Sequence, residues 1–150
     1  MLSLIQRVTS ASVTVDHQQI ASINGGILAL VAVEKNDSAT DAQRLLERIL
    51  NYRIFADDHG RMNLSLKDIS GGLLLVPQFT LAADTSNGNR PSFTAAAAPE
   101  HGRQLFEYLQ QYALSSYADV KFGRFGADMQ VALVNNGPVT FMLSTQKARR

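Results

Sequence analysis

NGGILALVAV occupies residues 24–33, and SGGLLLVPQF occupies residues 70–79. Each is a glycine pair feeding an apolar run of strand length. A strand covered on one face alternates apolar and polar residues, so runs without alternation predict strands buried on both faces. The likeness between the two segments has two readings. Either a unit is duplicated, or two similar hairpins meet one core, and so short a match favours the second.

Working outward, β-branched residues crowd positions 8–15 and predict a strand. His17-Gln18-Gln19 reads as a turn and Ile20 to Ile23 as a short return strand. Ser38 with Asp41 resembles a capping box with Asp in the usual Glu place. Ala42, Leu45, Leu46, Ile49 and Leu50 then recur at helical spacing, so an amphipathic helix is expected over 39–51. Residues 52–55 read as strand, 57–60 as a turn and 62–64 as a further extended piece.

Residues 82–98 form the longest irregular stretch, with Phe93 the side chain able to pin it to the body. Loops longer than about 12–15 residues in compact domains are usually functional or disordered. Pro99 suits the first turn of a second helix whose apolar face is Leu105, Phe106, Leu109 and Ala113. Residues 120–122 read as strand. Residues 129–134 and 139–144 read as a final hairpin around NNGPVT (135–140), with Pro138 placed where the return strand should begin. Strands and helices are segregated rather than alternating. The expected fold is therefore α+β, a single domain over residues 1–150, with a largely antiparallel, barrel-like sheet and two main helices.

At 150 residues, 45% hydrophobic and 18% charged, the chain suits one domain with its own core. It has no cysteine, which excludes a disulfide framework, a thiolate nucleophile and a cysteine zinc site. His17, His59 and His101 are scattered without metal-ligand spacing, so no metal or other cofactor is expected. No apolar run approaches the roughly 20 residues of a membrane span, and residues 1–7 are too short and too soon charged for a signal peptide. No membrane partner is expected, and a cytoplasmic location is. The net charge of +1 carries no footprint of a strong nucleic-acid binder. Lys147, Arg149 and Arg150 form a small basic tail, read as a solvated terminus or a modest phosphate contact.

No nucleophile elbow, zincin helix or P-loop is present. The stretch with chemical content is QFTLAAD (78–84), where a buried strand gives way to the long loop. Gln78 and Thr80 flank Phe79 at period two. Pattern alone describes a strand end with one wet face. The functional reading is that this strand end opens a pocket, where backbone N–H groups freed as pairing stops serve an oxyanion and Thr80 positions a substrate.

Across essentially its whole length the chain resembles the D-aminoacyl-tRNA deacylases. The resemblance rests on IQRV (5–8), ASVTV (11–15), the NGG strand, YRIF (52–55), MNLS (62–65), QFTLAADT (78–85), RPSF (90–93), GRFGADM (123–129) and NNGPVT (135–140). QFTL and NNGPVT at this separation are its most specific parts. One departure is Pro77, where the family usually has Ser. No role of that serine's hydroxyl or amide carries over, and a proline there implies a bulge or an unpaired edge.

The resemblance implies a homodimer with its active site at the subunit interface, and aminoacyl-tRNA as the other partner. It implies a cis Gly137–Pro138 peptide reaching into the partner's pocket, Arg7 bracing that loop and Met129 lining the pocket. Two fixed carbonyl oxygens there would hold the substrate's α-ammonium and fill the space an L side chain needs, a rejection by clash that leaves glycine unopposed. The implied reaction is hydrolysis of the ester joining a D-amino acid to the terminal adenosine, at Gln78, Phe79 and Thr80. No base accompanies Thr80 in the sequence, so a backbone pocket aided by water or the ribose 2′-hydroxyl is the expected chemistry. Two other classes stay open: a non-catalytic dimeric module that binds the tRNA end, and a structural dimer with no nucleic-acid role.

Overall fold

In the computed structural model, which describes residues 1–146, β1 (Leu2–Val15) is the spine of the sheet. Its first half pairs with β3 (Gly26–Ala32), its second half with β2 (Gln18–Ile23), and its other side with β8 (Gln130–Ser144), all antiparallel. β6 (Gly72–Pro77) lies parallel to β3, and β7 (Val120–Phe122) parallel to β6. The order is β2-β1-β3-β6-β7, and β2 comes back against β6 and β7, so the sheet curls nearly closed. The fold is a single-domain α+β arrangement, as expected. The sheet is mixed, with its parallel part at β3, β6 and β7. Each parallel join is bridged by a helix, α1 (Ala39–Asn51) or α3 (Pro99–Ser116), because parallel neighbours need a crossover. Between α1 and β6 lie a small hairpin, β4 (Phe55–Ala56) with β5 (Met62–Leu64), and a single turn, α2 (Leu66–Ile69).

The two echoing segments are parallel neighbours, in register from Gly26 with Gly72 to Val31 with Pro77. Neither is the return arm of a hairpin, since β2 pairs with β1. The glycines are explained by close approach: a Cβ on Gly26 would lie 1.9 Å from the Gly72 carbonyl oxygen. The unbroken apolar runs have an equally direct cause. Ile27, Ala29, Val31, Leu73 and Leu75 pack against α1 and α3, while Leu28, Leu74 and Val76 fill the barrel interior with Val13, Val15 and Ile23. Every position has a core to face.

α1 buries the five residues of the expected face, and the Asp41 carboxylate accepts from the Ser38 N–H at 2.9 Å and from its hydroxyl at 3.1 Å. α3 buries Leu105, Phe106, Leu109 and Ala113, and also Gly102. α2 carries its own capping box, Ser65 with Asp68, which the sequence reading passed over.

The expected final hairpin is absent. Residues 130–144 are one strand, β8, running beside β1 throughout. Gln6 pairs with Thr140 and Val8 with Asn135, so the residues from Asn136 to Val139 stand opposite Arg7 alone. The turn residues make an outward bulge, not a reversal, because β1 is long enough to pair on both sides of it. Asn135 holds the bulge shut, accepting from the Val139 N–H and donating to the Thr140 hydroxyl, each at 3.0 Å. The Gly137–Pro138 peptide is cis. The basic tail of Lys147, Arg149 and Arg150 lies outside the described residues. Among those described, no helix is long and apolar enough to cross a membrane.

Candidate functional site

β3 and β6 end side by side, and the last rung between them is the Gln78 N–H donating to the Val31 carbonyl at 2.7 Å. Residues Phe79–Ala82 then tighten into a 3-10 turn, which replaces the period-two pattern read from Gln78, Phe79 and Thr80. Within that turn the first amide to find an acceptor is Leu81, at 3.2 Å from the Gln78 carbonyl. The amides of Phe79 and Thr80 have no acceptor among the described residues, as the opening groups of a helical turn lack one within it. The Thr80 hydroxyl is bonded to the Gln78 side-chain amide, and among the described residues no acid or base bonds to it.

Phe79 is 61% exposed, and its ring leans on Phe93 with centroids 5.4 Å apart. Phe93 thus pins the long loop, as expected, though to Phe79 rather than to the core. Reciprocal backbone bonds between Asp84 and Ser92 close the loop's tip at 2.7 and 3.0 Å. Its return is tied beside the exit of β3, Lys35 N–H to the Ala95 carbonyl and Ala97 N–H to the Val33 carbonyl. Hydrogen bonds from Ser86 hold the Asp84 carboxyl below its ordinary pKa.

Behind Phe79 lies an apolar cavity of about 250 Å³. Its walls are Pro77, Gln78 and Phe79 on one side, Ala98, Pro99 and Gly102 at the start of α3, and Phe106 with Phe125 at its base. Gly102 lies close to the Phe125 ring, which a Cβ there would touch at 3.4 Å, an ordinary contact. At the same helix end Arg103 grips both Glu100 carboxylate oxygens, at 2.6 and 2.7 Å, which lowers the Glu100 pKa and raises that of Arg103.

Pro77 sits where its missing N–H matters least. Leu73 donates to the Asp119 carbonyl and Leu75 accepts from Gly123, so the odd residues of β6 face β7. Pro77 pairs with Val31 of β3 but falls beyond the last ladder residue of β7, Phe122, so the edge its missing N–H would face is unpaired. A Cβ on Gly123 would meet the Pro77 ring at 3.2 Å and the Met129 sulfur at 3.0 Å. Met129, whose sulfur accepts the Arg124 N–H at 3.3 Å, therefore belongs to this end of the molecule.

Arg7, Gly137 and Pro138 lie elsewhere. Arg7 Nε donates to the Asn136 carbonyl at 2.9 Å, and Nη1 to the Ile54 carbonyl at 2.8 Å. Gly137 and Pro138 are exposed. Arg7 pairs with Ile27, whereas Gln78 is bonded to Val31, so roughly 13 Å of strand separates the two groups. One chain does not bring them together. The sequence reading put a pocket at the end of this strand but did not find its other walls: Gly102 and Phe106 carry no motif of their own, while Phe125 lies within GRFG and the Pro99 helix start borders the cavity. Among the described residues no three acidic, histidine or cysteine side chains converge as metal ligands.

Against this geometry, the family model described as D-Tyr-tRNA(Tyr) deacylase matches residues 4–144. The chain belongs to the D-Tyr-tRNA(Tyr) deacylase family. It is 62% identical over 143 residues to a D-aminoacyl-tRNA deacylase of Pseudomonas putida, spanning 95% of this chain and 99% of that one. It is 56% identical over 148 residues to one of Nitrosococcus oceani, spanning 99% and 96%. Among solved structures, the c-Myc DNA Unwinding Element Binding Protein superposes with a TM-score of 0.93 at 35% identity, covering 98% of this chain and all of that one. A probable eukaryotic D-amino acid tRNA deacylase superposes at 0.80 with 16% identity, covering 95% and 97%, a likeness of fold alone. As a member of the D-Tyr-tRNA(Tyr) deacylase family the chain is an enzyme, a hydrolase.

Proposed function

We propose that this enzyme hydrolyses the ester of D-aminoacyl-tRNA at the lip of the Phe79 cavity, as a homodimer. The observation that carries the proposal is the pair of amides, Phe79 and Thr80, without acceptors among the described residues, in the turn whose Phe79 lines a cavity with room for a flat base. The terminal adenine enters the apolar cavity, and the ester carbonyl lies over the two amides. Water, assisted by the ribose 2′-hydroxyl, adds to the carbonyl carbon. The oxyanion takes both N–H bonds, and collapse breaks the bond to the ribose oxygen, which leaves with a proton. Fixed donors of this kind contribute about 3–4 kcal/mol apiece in other acyl-transfer sites. Thr80, held by Gln78, positions substrate rather than attacking it.

Chirality is read from across the dimer. Arg7 and Asn135 hold the Gly137–Pro138 bulge outward at the far end of β3, out of reach of its own chain's Phe79. Among the described residues β8 pairs on one side only and exposes Val134, Phe141 and Met142, an edge suited to a second copy. In the dimer the bulge enters the partner's site beside Met129, and its carbonyl oxygens hold the α-ammonium and exclude an L side chain. Glycine on a non-cognate tRNA passes this filter. The enzyme works where charged tRNA is found, in the cytoplasm.

The test is deacylation of matched D- and L-aminoacyl-tRNA, with sedimentation at the assay concentration. Release from the D ester alone, by a dimer, is expected. Equal release from both esters removes the chiral filter, and full activity in a monomer removes the cross-subunit site.

A further inference from the structure

Phe125 is a wall shared by two hollows. On one side is the apolar cavity behind Phe79. On the other is an open groove whose lining includes Ile20, Glu107, Gln110, Phe122, Arg103 and Arg124. The two arginines differ. Arg103 is committed to Glu100 and Glu107, at 2.6 and 3.2 Å. Arg124 is exposed, and among the described residues its guanidinium has no ion-pair or hydrogen-bond partner. Its backbone is held, however: the N–H donates to the Met129 sulfur at 3.3 Å and the carbonyl accepts from Ala127 at 3.2 Å. The charge therefore stands on a fixed turn, one residue from the cavity wall.

We propose that Arg124 binds the phosphate on the 5′ side of the terminal adenosine, so that the strand leaves the cavity over Phe125 and runs into this groove. The inference rests on the deacylase reading and adds the path of the tRNA end. Single strands are commonly held by an aromatic surface for the base and a cation that tracks the backbone, and the Phe125–Arg124 neighbours supply both. Arg124 is a binding residue away from the ester: it fixes which way the strand runs and touches no reacting atom. A guanidinium suits a phosphate better than an ammonium because it donates through two parallel N–H groups. Each phosphate that a cation neutralises on a single strand contributes about 0.7 to the log–log salt slope, so the loss of one such contact is measurable.

The experiment compares Arg124→Ala, Arg124→Lys and Arg103→Ala with the parent on two substrates: a D-aminoacyl-tRNA, and the same D-amino acid esterified to adenosine, which has no phosphate. For Arg124→Ala on the tRNA, KM rises roughly fivefold with kcat unchanged. The log–log salt slope of kcat/KM becomes shallower by about 0.7, one single-strand phosphate contact. Arg124→Lys recovers part of the KM, and Arg103→Ala moves it less. The adenosine ester is hydrolysed equally by all four proteins, which also shows that the variants are folded. Equal losses on both substrates, or an unchanged KM and salt slope on the tRNA, overturn the proposal. A parent protein that cleaves neither substrate overturns the deacylase reading itself.

Discussion

Arg7 and Asn136 meet across a break in the β1–β8 ladder, the guanidinium Nε donating to the backbone carbonyl at 2.9 Å while Nη1 reaches the Ile54 carbonyl at 2.8 Å. One side chain thus ties the Gly137–Pro138 bulge to the segment that follows α1. Its two bonds leave in different directions, so a single-point cation does not replace it.

Arg7→Ala is therefore expected to lower D-aminoacyl-tRNA hydrolysis about 10²-fold, the effect of an ångström's misplacement in a positioned site. Arg7→Lys recovers only part of that. Steady-state kinetics with a parallel thermal melt decide it. An alanine variant with parental kcat/KM would show that the bulge stands without its brace.

Gly137 has a φ of +144°, and a Cβ there would meet the Val139 side chain at 2.6 Å and the Val139 amide at 2.9 Å. Gly137→Ala is expected to lose D-substrate activity at least tenfold, because the Gly137 and Pro138 carbonyls must shift, and about 1–3 kcal/mol of stability with it. Denaturant unfolding and deacylation measured on the same preparation test both parts, and a variant unchanged in either measure contradicts the placement.

Thr80→Ala is expected to keep activity within about tenfold, since among the described residues the partner of its hydroxyl is the Gln78 amide, which is no base. Mass spectrometry of the parent enzyme during turnover should find no acyl group on Thr80. A covalent adduct there would replace the backbone mechanism with a nucleophilic one.

Gly102 separates fold from function. Gly102→Ala fits, its Cβ 3.4 Å from the Phe125 ring, and removes a glycine from a helix interior, so stability rises by up to about 1 kcal/mol with activity kept. Gly102→Leu extends into the cavity, and KM should rise steeply on tRNA and on aminoacyl-adenosine alike. Equal KM for the leucine variant would place the adenosine outside the cavity.

Local chemistry written in the sequence was read correctly where it acts locally. The apolar face of α1 depends only on residues within a few turns, and so does the Pro99 start of α3. Pro77 at an unpaired edge follows from a missing N–H. The resemblance implied that Arg7 braces the Gly-Pro loop and that Met129 lines a pocket; in the structure Arg7 bonds the Asn136 carbonyl, and Met129 lies beside Gly123 and Pro77.

What the sequence left open depended on partners distant in the chain. NNGPVT has the composition of a hairpin turn, and only the pairing of β1 on both sides of it makes residues 130–144 one strand with a bulge. The two glycine pairs are alike because their backbones touch, at Gly26 and Gly72, a contact between residues 46 positions apart that no local rule encodes. The cavity is assembled from the ends of β3 and β6, the first turn of α3 and the GRFG loop, and none of these alone is concave. Propensity and patterning fix what a short segment can do by itself. Which segments meet, and which amides are left without acceptors when they do, is settled only when the sheet curls and the helices cover it.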